Sequence, residues 1–110
     1  MPKNKSSKKM EKHTNAEHEH NQRYVYHLRK PVRHNGEQIK SVNLRRATVA
    51  DAIAVEETGA LGFNKKNAHY FSMLSGLSPE VFEKIDMSDW YQLLRGAGNF
   101  LGMGGLMSDS

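Results

Sequence analysis

Hydrophobic and polar residues alternate along two stretches of the chain, residues 24–28 and residues 42–45. This two-residue period is typical of β-strands that bury one face. Between the two stretches lies Asn35-Gly36, and this pair readily supplies the two residues of positive φ that a type I′ hairpin turn needs. The pattern therefore predicts a β-hairpin over residues 24–46.

The turn also determines which residues of the two strands should face each other. With Asn35-Gly36 as its two central residues, Val32 faces Ile39, and both can share one apolar face. If the same register continued, however, Leu28 would face Asn43, and the apolar rows of the two strands would not meet. An uninterrupted ladder is therefore not expected, because register follows the hydrophobic pattern.

A β-bulge of one extra residue would correct this mismatch, since it would bring Leu28 alongside Val42. We expect the bulge near Lys30-Pro31 or near Lys40-Ser41. Pro31 favours the first position, because proline has no N–H to donate to the ladder.

After the hairpin, apolar residues recur at helical intervals, and several residues can begin a helix by accepting hydrogen bonds from its first turn. The predicted helix starts are Thr48 with Asp51 three residues later, Asn64, Ser78 followed by Pro79, and Asp86. Gly76 is placed to end the second helix. The fold class is therefore predicted to be α+β, with an N-terminal β-hairpin followed by three to four short α-helices.

The composition divides the chain into three segments. Residues 1–23 contain no Val, Ile, Leu, Phe, Tyr or Trp and are rich in lysine, so they are predicted to form a disordered basic arm. Residues 24–101 are predicted to be a single small domain, with its helices within 48–101, and the Gly-rich residues 102–110 a flexible tail. A domain of this size is near the lower limit for a lone core, so we also expect self-association or a partner.

Charge is spread unevenly along the chain. The 16 Lys and Arg residues outnumber the 12 Asp and Glu residues by four, yet residues 1–46 carry a net +8 and residues 47–110 a net −4. A basic nucleic-acid-binding module acting through residues 3–46 is therefore an alternative. We do not favour a nucleic-acid partner, because the arm has no aromatic residue for base stacking and the helical half is acidic.

Catalytic chemistry finds no support in the sequence. The absence of cysteine excludes a disulfide framework, a thiolate zinc site and a cysteine nucleophile. His27, His34 and His69 lack serine or carboxylate partners at motif spacings, and no phosphate-binding loop is present. We therefore expect no enzyme activity, no cofactor and no metal. The apolar runs are too short to span a bilayer, and the basic start has no apolar stretch behind it, so neither a membrane segment nor a secretory signal is expected.

The last helix and the tail hold the candidate partner-binding residues. In the helix, Met87, Trp90, Tyr91, Leu94 and Leu101 are expected to share one apolar stripe, which serves either as core or as a partner groove. No other part of the sequence is predicted to cover the apolar tail. The candidate partner-binding residues are Trp90, Tyr91, Leu94, Phe100, Leu101, Met103, Leu106 and Met107.

An ordered series of motifs resembles the tail assembly chaperones of myophages and Mu-like prophages, also called the tail assembly protein E family. The motifs are HLRKPV at 27–32, the NG turn at 35–36, VNLRRATVAD at 42–51, FSMLSGLSPEV at 71–81 and IDMSDW at 85–90. Together they cover about residues 24–102.

The resemblance implies a non-enzymatic chaperone that acts in the host (bacterial) cytoplasm. Such a protein would bind the tape measure protein, promote assembly of the tail tube protein, and be absent from the mature virion. The resemblance also implies a longer, frameshifted isoform as a further partner. The alternatives are the nucleic-acid-binding module described above and a minor structural tail protein.

Overall fold

The computed structural model describes residues 22–102 and 106–108. In this part of the chain, an antiparallel hairpin is followed by four helices, which confirms the predicted α+β class. The elements are β1 (Arg23–His34), β2 (Glu37–Arg45), α1 (Val49–Glu57), α2 (Phe63–Ser75), α3 (Pro79–Glu83) and α4 (Met87–Leu101). Residues 1–21 of the predicted arm lie outside the described residues, and β1 begins at Arg23, one residue before the predicted start.

The hairpin and the helices share one core. Helices α3 and α4 contact β1, while α2 contacts β2, α1 and α3. Along β2, the side chains of Val42 and Leu44 have no exposed surface and alternate with exposed ones, so one face of the hairpin is buried beneath the helices. Phe71 of α2 and Leu93 of α4 are likewise fully buried. Helices α2, α3 and α4 thus pack against a two-stranded sheet, and α1 packs against α2.

The turn has the geometry that its sequence predicts. Asn35 and Gly36 have φ values of 53° and 80°, and His34 pairs with Glu37 across them. Both central residues thus lie in the left-handed region, which Asn and Gly adopt at the least cost. Val32 faces Ile39, as expected from this turn.

Beyond Val32 the register differs from the prediction. Val42 pairs with Tyr26, not with Leu28, and Leu44 pairs with Tyr24. Residues 28–31 of β1 therefore lie opposite Lys40 alone, so the irregularity contains three extra residues where one was expected. Its position near Lys30-Pro31 is confirmed, but its predicted size, the alternative site at Lys40-Ser41 and the pairing of Leu28 with Val42 are wrong.

The carboxylate of Asp89 explains the larger bulge. The backbone N–H of Arg29 donates to Asp89 Oδ1 at 3.1 Å, and that of Lys30 donates to Oδ2 at 3.0 Å. The Tyr26 hydroxyl also donates to Oδ1, at 2.7 Å. The two N–H groups that leave the ladder are therefore satisfied by a side chain of α4. This contact joins residues about 60 positions apart in sequence.

Asp89 itself has no solvent-exposed surface. Burial alone would raise the pKa of its carboxyl, but hydrogen bonds from the Lys30 N–H, the Tyr26 hydroxyl and the Arg29 N–H hold that pKa below its usual value. Burial, together with the hydrogen bond to Asp89, raises the pKa of Tyr26 to about 12. At neutral pH the site therefore holds a charged carboxylate and a protonated tyrosine.

A second carboxylate joins α1 to the end of the hairpin. Arg45 Nη1 and Nη2 donate to Asp51 Oδ2 and Oδ1, each at 2.9 Å, in a bidentate pair. Asp51 Oδ2 also accepts from the backbone N–H of Thr48 at 2.8 Å, so Thr48 is the N-cap, as predicted. These bonds outweigh burial and lower the pKa of Asp51 to about 2, with the Arg45 guanidinium as the largest cause.

Most of the predicted helix boundaries are confirmed. Ser78 Oγ accepts from the Glu80 N–H at 3.2 Å, and Asp86 accepts from the Ser88 N–H at 3.1 Å. Gly76 ends α2 with φ of 82°. These motifs are correct because each depends on residues adjacent in sequence.

The predicted cap at Asn64 is wrong. The N-cap of α2 is Gly62, two residues earlier, with φ of 91°, and the helix begins at Phe63. The Asn64 side chain instead accepts a hydrogen bond from Trp90 Nε1 at 2.8 Å. A buried indole N–H needs a partner, and Asn64 provides it from a neighbouring helix.

Removing the Asp89 carboxylate should destabilise the fold strongly. We expect Asp89→Ala to lower the free energy of unfolding by about 3 kcal/mol, because the part-buried donors of Tyr26, Arg29 and Lys30 lose their buried acceptor. Urea unfolding followed by circular dichroism measures this loss. Asp86→Ala is the matched control on the same helix and should cost less, since its cap lies near the surface; equal losses in the two variants would contradict the role given to Asp89.

Stability should fall as the solution is acidified. Asp51 and Asp89 have pKa values lower in the folded chain than in the unfolded chain, so their contribution is complete above about pH 4 and is lost towards pH 2. Urea midpoints at pH 7, 5, 4, 3 and 2 follow this change. Asp51→Asn should reduce the drop between pH 4 and 2, and a midpoint that stays constant or rises on acidification would contradict the assignment.

Candidate partner-binding surface

Two of the predicted partner-binding residues lie in the core. Trp90 is 5% exposed and Leu94 is 7% exposed. The Trp90 ring meets Phe71 edge-on at 5.7 Å between centroids and Phe82 at 6.5 Å. Its Nε1–H is bound to Asn64, which fixes the orientation of the indole. The sequence left open whether the apolar stripe is core or a partner groove. Trp90 and Leu94 belong to the core.

Tyr91 is on the surface, together with Met87 one helical turn before it. Their side chains are 61% and 51% exposed, although the sequence placed both on the apolar stripe with Trp90 and Leu94. These two residues therefore do not belong to the core, the first of the two roles that the sequence left open for the stripe. On a helix, positions i and i+4 lie on the same face, so Met87 and Tyr91 form one exposed apolar pair near the start of α4.

A groove opens between α2, α3 and α4 and has a volume of about 400 Å³. The residues that line it are Asn64, Lys65, Ala68, Phe82, Glu83, Ile85, Met87 and Trp90. Met87 therefore belongs both to the groove and to the exposed pair with Tyr91. We call the groove and this pair together the α4 surface. The sequence reasoning missed the groove because its lining comes from three helices whose packing no local pattern reveals.

The α4 surface is mainly apolar with charges at its margin. Phe82, Ile85 and Trp90 are mostly buried and present limited carbon surface to the groove. Lys65 and Glu83, of opposite charge, are exposed lining residues. A concave apolar floor with a few polar groups is the usual form of a small-ligand pocket, and amphipathic helices also dock into hydrophobic grooves.

Phe100 and Leu101, at the other end of α4, are half-buried. The Phe100 ring stacks on Tyr24 at 5.9 Å, and the Arg46 guanidinium lies 5.0 Å from its centroid. Arg46 Nη1 also donates to the Phe100 carbonyl oxygen at 3.1 Å. Burial raises the pKa of the Tyr24 hydroxyl. Phe100 is thus held by contacts within the chain.

Gly96 makes the approach of Tyr24 to α4 possible. A Cβ atom at this position would overlap the Tyr24 ring and its hydroxyl. Glycine usually weakens a helix, but here its missing side chain leaves space for a β1 residue. This close approach completes the contact between the hairpin and the second half of α4.

The described part of the tail lies against α2. Leu106 and Met107 are half-buried and pack against the core. The Met107 N–H donates to Asn67 Oδ1 at 2.9 Å, and Asn67 Nδ2 donates to the Met107 carbonyl oxygen at 3.1 Å. Met103 lies outside the described residues. The flexibility of residues 102–110 stays a prediction.

Other exposed groups include a basic row on the hairpin and an apolar pair on α1. Basic residues lie exposed along the hairpin, namely Arg29, Lys30, Arg33 and Lys40. On α1, the apolar side chains of Val49 and Ile53 are 76% and 48% exposed, one turn apart. Among the described residues, no cluster of three or more His, Cys, Asp or Glu side chains could hold a metal ion, and none of the helices is long and apolar enough to cross a membrane.

Comparison with known proteins gives one match. The sequence model of a family described as "Phage tail assembly chaperone proteins, E, or 41 or 14" matches residues 25–102. The matched segment contains almost the whole hairpin and all of α1 to α4. No curated protein and no solved structure matches the chain.

Proposed function

The chain belongs to the phage tail assembly chaperone family, and we propose that its client is the tape measure protein. In this role it keeps the tape measure protein soluble and promotes polymerisation of the tail tube protein around it. It acts in the bacterial cytoplasm, is not an enzyme, and does not remain in the mature virion. Membership of the family supports the general role in tail assembly, while these finer statements are the proposal.

The observation that carries the proposal is the α4 surface. Its groove of about 400 Å³ has room for a few apolar side chains. An amphipathic helix that lays its apolar face into a groove contacts it through residues three and four apart. A long helical client such as the tape measure protein would offer many such faces, so one short groove can hold any of several segments.

Met87 and Tyr91 are the side chains best placed to hold a client. Tyrosine brings a large contact area with few rotatable bonds, and methionine adapts its shape to different partners. Both are more than half exposed in the free chain, so a client can reach them without unfolding α4. We assign the main contacts to these two residues, with Trp90 contributing only the edge that lines the groove.

The exposed basic residues of the hairpin favour a second candidate, a nucleic-acid-binding module. Its binding would depend steeply on salt, because it would rest on phosphate contacts. Binding through the α4 surface would depend weakly on salt, because it would rest on apolar contact. A third candidate is a minor structural tail protein, which would be present in purified phage particles, where a chaperone is absent.

The test is co-expression of the full chain with the tape measure protein, followed by a pull-down at about 0.3 M salt. At that ionic strength the Debye length is about 6 Å, so loose charge attraction is screened. We expect the tape measure protein to be soluble and to elute with the chain. Recovery of the chain alone, or with nucleic acid, would contradict the proposal.

Two surface substitutions test the assigned contacts. Met87→Ala and Tyr91→Ala should each reduce recovered tape measure protein by about tenfold, as for central interface residues. Val49→Ala is the matched control, since Val49 is exposed and apolar but lies on α1, outside the groove. Circular dichroism checks that all three variants stay folded. Equal recovery with the control and with Tyr91→Ala would contradict the assignment of these contacts.

A further inference from the structure

The side chain of Asn67 is fully buried on α2, yet much of its hydrogen bonding is directed to a distant piece of chain. One N–H of its amide donates to the Phe63 carbonyl oxygen at 2.8 Å, within the same helix. The other donates to the Met107 carbonyl oxygen at 3.1 Å, and its Oδ1 accepts from the Met107 N–H at 2.9 Å. The two carbonyl partners can only accept, so the orientation of the amide is fixed by its contacts.

Both hydrogen bonds to residue 107 are made to its main chain and not to its side chain. A carboxamide that binds the N–H and the C=O of one residue reproduces the contact that a neighbouring β-strand makes. Every residue except proline carries both groups. Lys66 adds a third main-chain contact, since its Nζ donates to the Ser108 carbonyl oxygen at 2.9 Å. We call Asn67 and Lys66 together the α2 slot.

The side chains held beside the slot are apolar and only half-buried. Leu106 and Met107 pack against the core but keep part of their surface in solvent. Contacts of this kind tolerate exchange, because methionine and leucine can be replaced by other apolar side chains at small cost.

We propose that the α2 slot is a docking site for an extended apolar segment of the client protein. Residues 106–108 occupy it within the same chain and are replaced when the client binds. The identity of the client rests on the proposed function, whereas the slot rests on the contacts of Asn67. Main-chain recognition suits a chaperone, because it accepts segments of different sequence along a long client.

The slot lies apart from the groove of the α4 surface. On α2, the groove is lined by Asn64, Lys65 and Ala68, and the slot is formed by Lys66 and Asn67. With about 100° between successive residues, these two sets occupy different faces of the helix. A client can therefore contact α2 on two sides, as a helix in the groove and as an extended segment in the slot.

The experiment uses the full chain and a fluorescent peptide with the sequence of residues 101–110 as the probe. Met107→Pro removes the N–H that Asn67 Oδ1 accepts, so it should release the chain's own tail while leaving the slot intact. Because an occupied site binds with reduced apparent affinity, we expect the probe to bind Met107→Pro about tenfold more tightly than the unsubstituted chain. Met107→Leu keeps the N–H and should behave as the unsubstituted chain does.

A second probe keeps the test independent of protein stability. The same peptide, N-methylated at the position of Met107, retains every side chain but lacks the N–H. It should bind Met107→Pro about tenfold more weakly than the unmodified peptide. Equal binding of the two peptides, equal binding to Met107→Pro and the unsubstituted chain, or no binding at all would overturn the proposal.

The two proposals fail separately. If the peptide binds as described but the tape measure protein does not co-purify, the slot stands and the client is wrong. If the tape measure protein co-purifies but the peptide does not bind, the client stands and the slot is overturned. If the peptide binds but the tape measure protein does not co-purify, a two-dimensional NMR spectrum of Met107→Pro should still change when the peptide is added. The resonances of the Asn67 side-chain amide should shift.

Discussion

The structure depends on one buried carboxylate. Asp89 accepts hydrogen bonds from the backbone of Arg29 and Lys30 and from the Tyr26 hydroxyl. An unpaired buried charge would be costly, and so would two unpaired backbone donors. The carboxylate and the two N–H groups therefore stabilise the fold only when they are paired with each other. Because Asp89 is the third residue of α4, the contact fixes the start of that helix on the hairpin. Everything that α4 carries, including Met87 and Tyr91, takes its position from there.

Local features of the fold could be predicted from the sequence, and long-range ones could not. The Asn35-Gly36 turn and the caps at Ser78 and Asp86 depend on residues that are neighbours in sequence. They can therefore be predicted from the sequence alone. The size of the bulge is not, because its reason lies in Asp89, about 60 residues later. Asn64 failed as a predicted cap for the same reason, since the indole that it serves belongs to another helix.

The candidate surface divides along similar lines. The sequence predicted that apolar residues of the last helix bind a partner. Helical periodicity, however, could not separate the side chains that face the core from those that face solvent. Trp90 and Leu94 are core, whereas Met87 and Tyr91 are exposed beside a groove built by three helices. The tail was predicted to lack cover, yet Asn67 binds its main chain. Under the two proposals, a domain this small contacts its client on two faces of α2.

Hydrogen exchange of the Arg29 and Lys30 amides tests the central role of Asp89 most directly. If the carboxylate unites the bulge with α4, these two amides exchange only on global unfolding, with the same protection as the buried amides around Leu93. Such protection is not expected of an irregular segment at the edge of a two-stranded sheet unless a buried acceptor holds it. Exchange as fast as that of exposed amides near the Asn35-Gly36 turn would contradict the account.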